Sequence, residues 1–189
     1  MSSVIIAGNT SGTITLDAPN VAGTTTLTLP ATSGTVVTTT SGAITSSQVP
    51  TGSVVQVVNA TYSTQFAQSG ATYADTGITA SITPSSTSNK ILILARIPVR
   101  HGVGYNYGSQ RWVRNSSVVI SEPSQHYETG LAFTSTDLRL VNSYMILDAP
   151  ASTSSVTYKT QSVCFTATNT YYTCPDSMTA SIILMEIKG

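Results

Sequence analysis

The side chains able to do chemistry in this 189-residue chain are few and scattered. His101 sits in Arg100-His-Gly-Val-Gly-Tyr105 and His126 in Ser124-Gln-His-Tyr-Glu128. Metal sites need clustered donors, so two isolated histidines on loop-like segments fit solvent-facing or hydrogen-bonded roles. Cys164 and Cys174 have no histidine beside them and do not make a zinc site. Of the eight carboxylates, Asp137 and Asp148 bracket one predicted strand. They therefore lie at its opposite ends, well beyond the carboxylate spacing that glycosidases use. The chain contains no Gly-x-Ser-x-Gly elbow, phosphate-binding loop, His-Glu-x-x-His or dinucleotide fingerprint. The expectation is a protein that is not an enzyme and carries neither cofactor nor metal.

Recognition chemistry has one candidate. Residues 96–114 gather Arg96, Arg100, Arg111 and Arg114 with Tyr105, Tyr107 and Trp112, which is half of the chain's eight basic residues. Aromatic and arginine side chains are enriched in binding hot spots, and aromatic rings also suit sugars. Arg100, Tyr105, Tyr107, Arg111 and Trp112 are the candidate recognition residues. The plainer reading is a loop whose arginines pair with Glu122, Glu128 or a neighbouring copy's carboxylate. The cysteines also have two readings. Phe165 to Thr173 reads as a hairpin turning near Asn169, which would let Cys164 and Cys174 face each other. They are either two separate, half-buried thiols or a disulfide formed after release from a reducing cytoplasm.

Composition narrows the function classes. Only 8% of residues are charged, against about 25% in a typical soluble domain. Net charge is zero, so nothing supports nucleic-acid binding, which needs a basic face. No basic start with an apolar run marks a signal peptide, and no stretch is long and apolar enough to span a membrane as a helix. Few charges endanger an isolated monomer's solubility, and a chain held inside an assembly escapes that difficulty.

The elements that must position these residues are strands. Lys90 to Arg100 places Ile91, Ile93, Ala95, Ile97 and Val99 on one face and Lys90, Leu92, Leu94, Arg96 and Pro98 on the other. Leu92 and Leu94 make the second face apolar as well, and a strand apolar on both faces is covered on both. The last strand, 178–188, repeats the feature, with Ile183, Met185 and Ile187 opposite Ile182 and Leu184. With no helix to cover the second face, another copy of the chain is expected to do so, through Leu92, Leu94, Ile182 and Leu184.

Along the chain, residues 1–50 form a low-complexity arm of short alternating segments ended by Gly or Pro, with Ile14, Leu16, Leu27, Leu29, Val36 and Val37 as its few apolar residues. They are too few for a core, so the arm orders only against something else. Residues 41–52 read as a linker or collar. From 53 onward strands are expected at about 53–62, 73–84, 90–100, 109–115, 117–121, 137–148, 155–165, 170–174 and 178–188. No segment of ten or more residues has a helical period. Many short strands at this spacing indicate an all-β sandwich or jelly roll.

Two stretches of the arm, Ser11-Gly-Thr-Ile-Thr-Leu-Asp-Ala-Pro19 and Thr26-Leu-Thr-Leu-Pro-Ala-Thr-Ser-Gly-Thr-Val-Val-Thr38, resemble N-terminal arms of tailed-bacteriophage virion proteins. Thr76-Gly-Ile-Thr-Ala-Ser-Ile-Thr-Pro-Ser-Ser-Thr-Ser-Asn-Lys-Ile-Leu-Ile93 and Ala180-Ser-Ile-Ile-Leu-Met-Glu-Ile187 resemble a phage domain related to the trimeric jelly rolls of the tumour-necrosis-factor and complement type. The middle of the chain, about 100–175, matches neither. The resemblance implies a homotrimer located in the virion and assembled in the host cytoplasm. Residues 1–50 would be an attachment arm or stalk and 51–189 a jelly-roll head. The implied role is a capsid-decorating or head-fibre protein, its arm bound to the major capsid protein. The rival is a tail-fibre or tail-tip protein, its arm on a tail protein, that recognises host surface glycan. A depolymerase is a third and weaker class.

Overall fold

The computed structural model describes residues 3–7, 13–17, 44, 48–102, 108–121, 138–165 and 169–189. The chain divides into two units, Met1–Thr38 and Thr39–Gly189. In the first, β1 (Ser3–Ala7) pairs antiparallel with β2 (Thr13–Asp17), with Ile5 opposite Thr15 and Ile6 opposite Ile14. The predicted 11–19 segment thus forms a strand whose partner comes from the arm itself. Of the arm's apolar residues, Ile14 and Leu16 lie in β2, while Leu27, Leu29, Val36 and Val37 fall outside the described residues.

The second unit is an all-β sandwich of two antiparallel sheets. Its strands are β3 (Val54–Tyr62), β4 (Phe66–Gln68), β5 (Ala74–Ile82), β6 (Lys90–His101), β7 (Gly108–Arg114), β8 (Ser117–Ser121), β9 (Leu138–Asp148), β10 (Val156–Cys164), β11 (Tyr171–Thr173) and β12 (Ala180–Ile187). One sheet runs β5-β10-β7-β8. The other runs β3-β12-β6-β11-β4, and β9 pairs with the far side of β6. Each strand was expected from the sequence except β4.

The core lies between the sheets. It takes Ile78, Ala80 and Ile82 from β5, Ile91, Ile93, Ala95, Ile97 and Val99 from β6, Trp112 from β7, Ile146 from β9, Tyr158 from β10, and Ala180, Ile182 and Leu184 from β12. The β6 core face is the one alternation predicts. For β12 the expectation fails: Ile182 and Leu184 are 1% and 0% exposed within a single chain, so they cannot meet a second copy. Both faces of this strand are apolar, and the pattern alone gave no sign of which one turns inward.

Two irregularities shape the sheets. β12 pairs with β6 as far as Ser181 opposite Arg96, and β11 resumes the same edge at Thr173 opposite Val99. Residues 174–179 bulge out between them. The reason is Pro98, which lacks an N–H to donate across this edge. Its carbonyl still accepts the Cys174 N–H at 2.9 Å. The bulge contains a short 3₁₀ turn, Pro175–Ser177, with Cys174, Asp176 and Ser177 all at left-handed φ. In β5 the pairing with β10 slips between Lys159 and Gln161, where Gly77 adopts φ +88 and a Cβ would strike the Tyr62 hydroxyl.

The two sheets are also stapled by polar groups. The Arg114 Nη1 on β7 donates to both Asp148 oxygens, at 2.9 and 2.8 Å, at the end of β9. The Tyr158 hydroxyl on β10 donates to Asp148 Oδ2 at 2.6 Å. Burial, together with the Asp148 carboxylate, raises the Tyr158 pKa well above its ordinary value. At the other end of the sandwich, Gln110 is fully buried; its Oε1 accepts from Tyr144 at 2.9 Å and from Asn142 at 3.2 Å.

Candidate interaction face

Strand alternation assigns β6 its outward residues: Lys90, Leu92, Leu94, Arg96 and Arg100. Pairing register then fixes what stands beside each. Val57 lies opposite Met185, Met185 opposite Leu92, and Leu92 opposite Leu147. The result is one apolar row across β3, β12, β6 and β9. The next row runs Asn59, Ile183, Leu94, Met145, and the one beyond it Thr61, Ser181, Arg96, Ser143. Ile187 opposite Val54 extends the apolar area at one end, and Val141 beside Pro98 extends it along β9. Cross-strand neighbours stand about 5 Å apart, so these rows form one continuous surface.

The surface is apolar and unusually open. Met145 is 80% exposed, Leu147 58% and Val57 56%. Leu92, Leu94, Ile183 and Met185 are half-buried between those taller edges. Leu94, Arg96, Ser181 and Ile183 line a shallow depression there. Monomeric proteins rarely expose contiguous apolar patches beyond a few hundred Å².

The opposite sheet turns a different face outward. Lys159 Nζ donates to Asp75 Oδ2 at 2.7 Å and Gln161 Nε2 to Asp75 Oδ1 at 2.6 Å. Arg111 Nε donates to Gln161 Oε1 at 2.8 Å, and its guanidinium stacks over the Tyr73 ring at 4.1 Å. The hydrogen bonds from Lys159 and Gln161 hold the Asp75 carboxyl below its usual range. This is an ordinary solvated ladder of polar side chains.

The residues expected to form a recognition cluster are dispersed. Trp112 is completely buried and meets Tyr144 edge to face at 5.7 Å. It is not a surface residue, because alternation on β7 sends it to the face opposite Arg111. Arg100 stacks over Tyr172 at 4.0 Å and lies 4.0 Å from Asp176, which also pairs with Arg139. Arg114 points to the sandwich end and Asp148, as described above. The pairing carboxylates are thus Asp148 and Asp176; the expected Glu122 and Glu128 lie outside the described residues, as do Tyr105, Tyr107, His126 and Asp137. His101 is not in a solvent-facing loop. It closes β6, is 5% exposed and packs edge-on against Tyr171 at 4.8 Å.

Cys164 and Cys174 are separate thiols, both buried. The expected hairpin between them does not form, since β10 belongs to one sheet and β11 to the other. Burial pushes the Cys174 thiol pKa up, which disfavours the reactive thiolate. Among the described residues no group of His, Cys, Asp or Glu could hold a metal ion, and no helix is long and apolar enough to cross a membrane.

Sequence reasoning missed Val57, Met145 and Leu147 as members of the outward face. The signal was present. Val141, Met145 and Leu147 alternate with Leu140, Tyr144 and Ile146, so β9 is two-faced in the same way as β6.

No family model matches this chain, and no curated protein does. Among solved structures it is similar to the VP2 subviral particle of infectious bursal disease virus, at 14% identity and a TM-score of 0.39, over 71% of this chain and 37% of that one. The chain therefore spans little more than a third of that protein.

Proposed function

We propose that this protein is a non-enzymatic structural component of a virion, a homotrimer whose subunits associate through the outward face of β3, β12, β6 and β9. The observation that carries the association is that face itself, with its three registered rows and Met145 four-fifths exposed. Met145, Leu147, Val57, Val54 and Val141 are all large hydrophobics exposed on this face. Among the described residues, the opposite sheet carries the Asp75 ladder of polar side chains on β5, β10 and β7.

The assignment to a phage particle and the number three rest on the resemblance of the arm and of both ends of the main domain to phage virion proteins. The strand order agrees with a jelly roll. Counting the eight main strands in chain order, with β11 and β12 as one interrupted strand, the sheets run first-eighth-third-sixth and second-seventh-fourth-fifth. In this reading residues 1–50 attach the trimer to the major capsid protein, and the head decorates or reinforces the shell. The mechanism is passive: apolar burial between copies, repeated over a particle. Among the described residues, Trp112, Arg100 and Arg111 are taken up by intramolecular contacts, which disfavours the glycan-binding alternative.

Sedimentation of the purified chain at micromolar concentration tests the association. The expected species is a trimer, and a well-behaved monomer would overturn the reading. Labelling the protein on intact particles tests the location. Copies confined to the tail would overturn capsid decoration.

A further inference from the structure

Three of the chain's four methionines are among the described residues, and two of them lie on the outward face of β3, β12, β6 and β9. Met185 stands half-buried in β12, between Val57 and Leu92. Met145 stands on β9 opposite Leu94, and at 80% exposed it is the most open large hydrophobic side chain among the described residues. The third, Met178, is 39% exposed and lies outside these strands, in the bulge between β11 and β12. The leucines beside Met145 are chemically inert, whereas its thioether is soft and polarizable. A hydroperoxide reacts with such a sulfur in one step. The sulfur bonds to one peroxide oxygen, the O–O bond breaks, and the other oxygen takes the proton and leaves as water or, from an organic peroxide, as an alcohol. The sulfur is oxidised by two electrons and the peroxide is reduced by two. The product is the sulfoxide, polar where the thioether was apolar.

Oxidant arrives from solvent, so exposure orders the three sites and Met145 of a free subunit is reached first. There the new oxygen is hydrated and the fold loses nothing, because this side chain stands clear of the core. Covering the face changes the balance. Of the outward neighbours of Met145, Leu94 and Leu147 carry no hydrogen-bond donor and Ser143 carries one hydroxyl. A polar group taken from water without a partner is penalised, and one lodged between two apolar faces also holds them apart. Resting on the association proposed above, we infer that Met145 is an oxidative modification site that controls assembly. A hydroperoxide converts it to the sulfoxide on the free subunit, the sulfoxide bars that subunit from the oligomer, and association shields the thioether from further oxidant. The position of Met145 divides the two outcomes: its oxidation spares the subunit's own core and strikes only the contact between copies.

The test treats the full chain with hydrogen peroxide, once diluted below its association range and once well above it. Peptide mass spectrometry follows sulfoxide at Met145, Met178 and Met185, each methionine serving as its own reference. In dilute solution Met145 should react fastest. In concentrated solution its rate should fall by at least about tenfold, as expected for a side chain moved from solvent into an interface. Sedimentation equilibrium of the chain oxidised while dilute should show association weakened by at least about tenfold, with its β-sheet circular dichroism retained. Met145→Gln, which places a polar amide there without peroxide, should weaken association in the same direction. Met145→Leu should associate normally and keep associating after peroxide. If Met145 reacts equally fast at both concentrations while the chain sediments as an oligomer, or if the oxidised chain associates as tightly as the untreated one, the inference is overturned and the association stands. If Met145→Leu loses association after peroxide as the unaltered chain does, another methionine carries the effect and Met145 is overturned as the site. An untreated chain that is monomeric at every concentration refutes the association itself.

Discussion

The two sheets of the sandwich share a core and differ in what they show to the outside. The sheet of β5, β10 and β7 presents Lys159, Asp75, Gln161 and Arg111, each bonded to the next. The sheet of β3, β12, β6 and β9 presents Val57, Met185, Leu92, Leu147, Ile183, Leu94 and Met145. Both faces are built on antiparallel strands, so the direction of pairing does not distinguish them. What distinguishes them is whether hydration can satisfy their side chains. The first face is complete in water. The second leaves apolar area that only another surface can remove, and apolar area removed from water is worth roughly 25 cal/mol per Å². One face is satisfied by water and the other is not, which is the contrast on which the proposed association rests.

The largest expected effect comes from placing charge in the unfinished face. Leu94→Glu together with Met185→Glu should abolish association at micromolar concentration, a loss of at least a hundredfold, while the monomer keeps its β-sheet circular dichroism. Loss of fold instead would mean that these residues belong to the core of a subunit and not to a surface between subunits. Next in size is Asp148→Ala, which removes the staple between the sheets and strands Arg114 and the Tyr158 hydroxyl. Denaturant titration should show destabilisation of about 3 kcal/mol, within the range for breaking a partly buried pair.

A smaller effect is expected in alkali. The Tyr158 pKa is raised in the folded state by burial and by the Asp148 carboxylate. A raised folded pKa means that its contribution is complete below the unfolded value of 10.0 and is lost as pH climbs beyond it, because only the unfolded chain releases the proton there. Thermal unfolding of the unaltered chain should therefore fall faster between pH 10 and 12 than that of Tyr158→Phe, and parallel curves would remove the staple's role. The smallest effect belongs to the finished face. Lys159→Ala should change stability by no more than about 0.5 kcal/mol and leave sedimentation unchanged, as exposed ion pairs generally do. If it instead dissociated the proposed oligomer, the assignment of the two faces would be reversed.

Much of this was legible in the residues, and the limits of legibility have one cause. Nine strands of the main unit were visible from alternation, and Leu92 and Leu94 already marked β6 as two-faced. The same test applied to β9 would have added Met145 and Leu147. Trp112 is harder. Alternation separates it from Arg111, but nothing local says which of the two faces inward. Ile182 and Leu184 show the difficulty at its sharpest, since in β12 both faces are apolar and either could have been core.

The amino-acid order alone determined where nine of the ten main-unit strands lie, which side chains share a face, and that charge is scarce. Those properties follow from a period of two along one strand and from composition, and they need no distant partner. Only the folded chain decided which face turns inward, that Cys164 and Cys174 go to different sheets, that Arg114 finds Asp148 across the sandwich, and that four separate strands bring their apolar side chains into continuous rows. Each of these depends on register between segments far apart in the chain. Register is set by the joint packing of all the strands, and no single strand contains that information.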